Sequence, residues 1–356
     1  MKTEDDGIRS AEPGNSMDTS VEAPVSTGDL PLPGRVRDEI TAAWEQFADV
    51  NDGQNAAVYP ALAAVPRNLF GLCVAGVDGR LYAVGDADYQ FAIMSVSKPF
   101  VFAIVCQLIG AEQAREQLGV NATGLPFNSV MAIELNADRR TNPMVNSGAI
   151  ATTSLVPGAT SDEKWKHIHD GLSRFAGRQL SLNDEVYASA MQTNHRNHGI
   201  ARLLFSYDRL YFDPVEATEL YTRQCSLDVT ATDLAVMAAT LADGGVNPLT
   251  GERVIDAEVC RPTLAVMATA GLYETSGDWL YDVGLPGKSG IGGGILTVAP
   301  GKGGLATFSP PLDPAGNSVR GQLATRLLSE RLGLNLFASR PVIPASEQRE
   351  TSEGRE

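Results

Sequence analysis

The chain predicts an α+β protein in which an antiparallel sheet is flanked by helices and a helical lobe is inserted between its strands. Three observations lead there. Hairpin patterns lie near both ends of the sequence, at Phe70–Val84 and Gly294–Phe308. The stretch between them is mainly helical in pattern. Strands supplied by both chain ends, with helices between, place a cleft between sheet and lobe, the natural place for a ligand.

Residues 1–33 are acidic and rich in Gly, Pro and Ser, with few large apolar residues, which is the composition of a disordered tail. A second such stretch spans 341–356. The body, 34–340, is expected to be the folded domain. It opens with a helical pattern from Val36 to Ala48. Phe70 to Val77 is a buried strand, Asp78-Gly79 a hairpin turn and Arg80 to Val84 the returning strand. Within the helical stretch, Leu234, Met237 and Leu241 share one face of a helix that Asp243-Gly244-Gly245 ends. Gly294–Ala299 and Gly304–Phe308 form the second hairpin, and a helix follows from about Ser318 to Leu332. There is no internal repeat.

The 356 residues suffice for one large domain or two lobes sharing a core. A net charge of -15 argues against nucleic acid and against an anionic membrane surface as partners. No segment is apolar for long enough to span a bilayer, and the N-terminus has no apolar signal region. Cys73, Cys106, Cys225 and Cys260 are scattered, with no Cys-x-x-Cys pair. The expected compartment is a reducing cytoplasm, with these cysteines as small buried hydrophobes.

The strongest local feature is Ser95-Val96-Ser97-Lys98, followed by Pro99 and an apolar run to Ile109 that Gly110 stops. Proline is tolerated in a first helical turn, so Ser95 is expected at a helix start. Residues three apart share a helix face, which lets Lys98 reach the Ser95 hydroxyl. A serine needs a base to become nucleophilic, and a lysine serves if burial disfavours its charge. A capping serine beside a solvated lysine gives the same four letters. Two further features favour catalysis. Lys288-Ser289-Gly290 resembles the Lys-Thr-Gly of penicillin-recognising enzymes, and Gly290-Ile291-Gly292-Gly293-Gly294 permits backbone N–H groups to approach an oxyanion. His167, His169, His195 and His198 form no zinc pattern and are expected at the surface.

With these residues in hand, the sequence resembles the serine-dependent glutaminases over roughly Val36 to Leu336. The resemblance rests on Tyr59–Ala63, Ser95–Pro99, Asn142-Pro-Met-Val-Asn-Ser-Gly-Ala-Ile150, Arg196-Asn197, Cys225-Ser226, Met237–Gly245, Thr250–Val254, Gly284–Gly290, Ser309–Asp313 and Gly316–Val319. It implies a fold like that of the serine β-lactamases and penicillin-binding proteins. It also implies hydrolysis of L-glutamine to L-glutamate and ammonia without metal or organic cofactor. By this likeness Ser95 attacks the side-chain amide, Lys98 takes its proton, and the N–H groups of Ser95 and Ile291 hold the oxyanion. Tyr59 and Tyr273 match tyrosines near the nucleophile, and Tyr273 matches a position able to pass a proton to the leaving nitrogen. Asn146, Asn197 and Tyr221 match substrate-binding positions, and a homotetramer is the common assembly.

One position departs from the pattern. The family has a glutamate seven residues before the asparagine matched by Asn197, where it contacts the substrate α-ammonium; here Ala190 stands there. A hydrogen bond to a charged group contributes about 1.5–3 kcal/mol. Ala190 therefore leaves open a glutaminase with weak glutamine binding, a member with an altered substrate, or a catalytically weak binding protein. A penicillin-interacting enzyme is the remaining alternative, opposed by the absence of an export signal.

Overall fold

A computed structural model describes residues 28–339 of the chain. The expected tails lie outside the described residues, apart from 28–33. Within that stretch Leu30 packs on the core and Pro33 opens the first helix, Pro33–Phe47.

The described strands are β1 (Gly71–Gly76), β2 (Leu81–Gly85), β3 (Phe91–Ala92), β4 (Ser181–Leu182), β5 (Leu227–Val229), β6 (Gly287–Ser289), β7 (Gly294–Ala299) and β8 (Gly303–Phe308). The main sheet is antiparallel, in the order β2-β1-β8-β7-β6. Both chain ends thus contribute, as the two hairpin patterns predict. The pairing of β1 with β8 sets Leu72 opposite Thr307 and Val74 opposite Leu305.

Alternation along β1 explains the two cores. Leu72 and Val74 face a cluster with Val36, Ile40, Leu328 and Leu332, from the helices Pro33–Phe47 and Val319–Arg331. Cys73 and Ala75 face the larger cluster, whose sheet cover is the helix Ala231–Ala242. Fully burying a Val or Leu side chain stabilises by about 1.5–3 kcal/mol, so a strand buried on both faces is a strong organiser. Ala231–Ala242 begins with a capping box, in which the Thr230 side chain accepts from Asp233 N–H and Asp233 accepts from Thr230 N–H.

The helical lobe is built around Lys98–Ile109, buried from Lys98 to Cys106 and ended by Gly110 at φ +92°. The helices Asn146–Leu155, Ser161–Ala176 and Ala257–Ala270 pack against it. The second sheet, β3-β5-β4, joins lobe to main sheet through very short strands. Among the described residues no single helix is long and apolar enough to cross a membrane. All four cysteines are buried and free, as expected.

Gly148 marks the tightest join inside the lobe. A Cβ there would fall within the van der Waals envelope of the Asn142 carbonyl, whereas one on Gly199, in the helix His195–Ser206, meets nothing within 4 Å. Urea unfolding should therefore separate two chemically identical substitutions. Gly148→Ala is expected to cost about 1–3 kcal/mol by overpacking. Gly199→Ala is expected to be neutral or to stabilise by about 0.4–1 kcal/mol.

Candidate active site

Ser95 sits between sheet and lobe, 6% exposed, in a 3₁₀ turn Met94–Ser97 that connects β3 to the helix beginning at Lys98. The serine therefore precedes the α-helix rather than occupying its first turn. The preceding residue, Met94, has φ +48°, a left-handed conformation that costs energy for a side chain of its size. Ile93 N–H donates to Leu227 O (2.8 Å) and the Ser97 hydroxyl donates to Met94 O (2.8 Å), which fix the turn from both sides. The glycine-rich segment runs alongside. A Cβ on Gly290 would lie 3.1 Å from Ile93 O and 3.3 Å from Ser95 N, and one on Gly292 2.5 Å from Ala92 O. Absence of side chains at Gly290 and Gly292 is what lets this segment lie so close to the Ala92–Ser95 backbone.

Lys98 is 1% exposed. Its Nζ donates to Asn146 Oδ1 (2.8 Å) and Met144 O (3.2 Å), and Ser95 is not among its hydrogen-bond partners. No carboxylate pairs with it among the described residues. Burial therefore pulls the ammonium down to about 7, opposed in part by the Cys225 thiol. The acceptors belong to a chain of side chains: Asn146 Nδ2 donates to Asn197 Oδ1 (3.0 Å), and Tyr221 Oη donates to Asn146 Oδ1 (3.1 Å). The turn bearing Met144 is held by Asn142, whose Oδ1 accepts from Met144 N–H (2.9 Å) and whose Nδ2 donates to Asn121 O (2.8 Å).

Tyr273 has φ +58° in a 3₁₀ turn after the helix Ala257–Ala270. Its hydroxyl donates to Ser289 O (3.1 Å), and its ring lies 4.7 Å from that of Phe127. Burial pushes this phenol up to about 12 against hydrogen bonding with Ser95 and Ser289. Burial likewise raises Tyr59 to about 12.

A cavity of about 510 Å³ opens over Ser95, and Tyr59, Asn146, Asn197, Tyr221 and Ile291 line it. Lys98 and Tyr273 lie behind this lining rather than in it. The structure thus gathers all eight sequence-selected residues around one centre. It adds Phe127, Asn128, Arg196, Cys225 and Asp313 to the walls. Of these, Phe127 and Asn128 carry no sequence signal, while Arg196 and Cys225 stand in stretches quoted only for their resemblance. Ala190, from the helix Asp184–Thr193, is also in the wall and is buried. Among the described residues Asp313 is the sole carboxylate lining the cavity; its two oxygens accept from Asn317 N–H (2.9 Å) and Gln322 Nε2 (3.0 Å). His195 and Arg196 line it and are exposed, whereas His167 is exposed elsewhere and His169 and His198 are partly buried. A separate depression of about 580 Å³, between Glu112 and Asn142, contains none of the selected residues. Among the described residues no group of three His, Cys, Asp or Glu is placed to hold a metal ion.

Comparison with known proteins places this geometry. The glutaminase family model matches residues 53–337. Glutaminase 2 of Yersinia pestis is 67% identical over 317 residues, covering 89% of this chain and 93% of its own. A glutaminase of Brucella canis is 54% identical over 307 residues, 85% of this chain and 97% of its own. Among solved structures, a probable glutaminase superposes with TM-score 0.85 at 46% identity, over 86% of this chain and 99% of that one. The crystal structure of Mglu in its glutamate form matches with TM-score 0.81 at 39% identity, over 85% of this chain and 70% of that one. The family match spans most of the chain and contains every residue of the cavity described above, and the chain belongs to the glutaminase family.

Proposed function

We propose that the protein hydrolyses L-glutamine to L-glutamate and ammonia through an acyl-enzyme on Ser95. The observation that carries this reading is a serine at the foot of a cavity beside a fully buried lysine that has no carboxylate partner. At neutral pH such a lysine is substantially unprotonated and serves as a base. Binding of substrate to Asn146 loosens the Lys98–Asn146 bond and frees Nζ to accept the Ser95 proton. Ser95 Oγ then attacks the side-chain amide carbon. The N–H groups of Ser95 and Ile291 receive the oxyanion, a role supported by the side-chain-free approach of Gly290. Tyr273 relays the proton held by Lys98 to the nitrogen and ammonia leaves; water then cleaves the ester, returning one proton to Ser95 Oγ and releasing glutamate. Tyr59 closes the cavity beside the reacting centre, while Asn197 and Tyr221 act with Asn146 on the amino-acid end. The reaction as written needs no metal or organic cofactor.

On this reading residues 34–340 form the catalytic domain of a homotetramer working in the cytoplasm. Neither nucleic acid nor membrane is a partner, which the charge of -15 supports. A second reading is favoured by Ala190. Ala190 brings no carboxylate to the place where the family's glutamate meets the substrate ammonium, and among the described residues Asp313 is the sole carboxylate in the wall. The chemistry is retained in this reading, while the grip on glutamine is weak.

Three measurements test these roles. Ser95→Ala is expected to lower ammonia release by roughly a thousandfold or more; full turnover in that variant removes the mechanism. The pH profile reports the base. Only neutral Lys98 accepts a proton, so log kcat/KM should climb as pH rises toward about 7 and flatten above it. With the Tyr273 phenol raised to about 12, its ionisation does not limit that plateau. A profile without inflection near neutrality removes Lys98 as base. Ala190→Glu is expected to raise kcat/KM for glutamine by roughly 10- to 100-fold, and to leave a des-amino glutamine analogue unimproved. Equal gains for both compounds contradict the ammonium argument.

A further inference from the structure

Lys288 is a second lysine at this site, and the mechanism above gives it no task. It lies in β6, is 0% exposed, and carries one of the largest fully buried side chains of the protein. Its Nζ donates to Gly271 O (2.8 Å) and to Ser289 O (2.6 Å). The same Nζ lies 4.1 Å from the centre of the Tyr273 ring. Two carbonyl oxygens and an aromatic face thus surround it, all of them electron-rich, and no carboxylate is its partner among the described residues.

The identity of those acceptors matters. Gly271 ends the helix Ala257–Ala270 and stands two residues before Tyr273. Ser289 ends β6, two residues before Ile291. Lys288 therefore ties the turn that carries the phenol to the strand that leads into the glycine-rich segment. The Ser289 carbonyl is also the acceptor of the Tyr273 hydroxyl (3.1 Å). One carbonyl is shared by the ammonium-bearing arm and the phenol. The join is short because both sides lack side chains: a Cβ on Gly271 would collide with the Gly287 carbonyl. The Tyr273 ring also meets Phe127, with centroids 4.7 Å apart, so Phe127 and Lys288 Nζ both contact it. Tyr273 keeps a left-handed backbone, φ +58°, which persists only where neighbours over-determine it.

Resting on the glutaminase reading above, we propose that Lys288 is a positioning residue that staples the Tyr273 turn to the Ile291 segment and holds the phenol hydroxyl at the reacting centre. It touches Tyr273 and two backbone carbonyls but does not line the substrate cavity. Its loss should therefore act on the chemical step and leave binding nearly unchanged.

The test is a double-mutant cycle on the full chain with Lys288→Met and Tyr273→Phe, assayed for ammonia release from glutamine. Lys288→Met is expected to lower kcat by about 100-fold, the scale of a misplaced catalytic group, with KM within about threefold of the parent. In a Tyr273→Phe background the same change should cost little more, because the group it positions is already gone. Full multiplication of the two losses, or a rise in KM at constant kcat, overturns the proposal. Where Lys288→Met does not fold, Lys288→Arg carries the test, since it keeps donors for both carbonyls. The arginine variant is expected to lower kcat by less than Tyr273→Phe does, and to add no further loss in a Tyr273→Phe background. An arginine variant whose kcat deficit multiplies fully with Tyr273→Phe also overturns the proposal. The parent protein and Ser95→Ala serve as the control for the underlying reading: a parent that releases no ammonia refutes the glutaminase function, whereas an active parent with independent Lys288 and Tyr273 effects refutes only the staple.

Discussion

The site depends on one costly placement, a lysine amine buried in the helical lobe with oxygens to donate to and no negative charge to pair with. A depression of Lys98 from 10.5 to about 7 corresponds to on the order of 5 kcal/mol of differential preference for the neutral amine. The sign runs against stability. The unfolded chain holds this proton up to its ordinary value, so the cost grows as pH falls from 10.5 toward about 7 and is constant below. The apolar helix Lys98–Ile109 and its packed neighbours offset that cost. Asn146 and the Met144 carbonyl limit it, because a buried donor left without acceptors would cost more. The Asn142 turn and the close approach at Gly148 serve in turn to keep those two acceptors in place.

Strain is concentrated around the same centre. Two of the non-glycine residues with positive φ, Met94 and Tyr273, flank it. Met94 turns the chain so that Ser95 enters a 3₁₀ turn facing the glycine-rich segment. Tyr273 turns its ring against Phe127 and Lys288. Neither conformation is preferred by the residue itself, and each is imposed by hydrogen bonds from distant elements: Leu227 O on Ile93 N–H, and Ser289 O on the phenol. Placing the groups before substrate arrives means that little reorganisation is needed during reaction.

The main sheet was legible in the sequence because its signals are local. Leu72 and Val74 alternate with Cys73 and Ala75, Asp78-Gly79 makes the turn, and the second hairpin follows the same grammar. The helix from Lys98 was legible through Pro99 and Gly110. What escaped is what distance in sequence hides. No local pattern places Met94 at positive φ. The strands β3, β4 and β5 are two or three residues long, too short for an alternation to register. Spacing alone put Lys98 within reach of the Ser95 hydroxyl, three residues away, whereas its Nζ donates to Met144 O and Asn146 Oδ1, 46 and 48 residues on. Tertiary competition for a buried amine decided that geometry. That the selected residues would gather around one cavity was nonetheless readable, because the motifs that carry them restrict residue type even where the sequence hides contact.

The charges around the cavity separate reaction from recognition. Lys98 and Lys288 are both buried without carboxylate partners among the described residues, and burial, with repulsion from Lys98, lowers Lys288 well below its usual range. The single carboxylate that the described residues bring to the cavity wall, Asp313, spends its oxygens on Asn317 and Gln322. What remains for a ligand is a set of amide and hydroxyl dipoles with Arg196 and His195 at the wall. Such surroundings favour charge that becomes negative, including an oxyanion beside Ser95 and the carboxylate of an amino acid. For an ammonium they offer one carboxylate, Asp313, and none at position 190. On the proposed mechanism a neutral residue at position 190 is no defect in the catalytic centre, whose parts would act on the amide end of the substrate. It would remove a charge from the opposite end, and on that reading catalysis and recognition can change independently in one cavity.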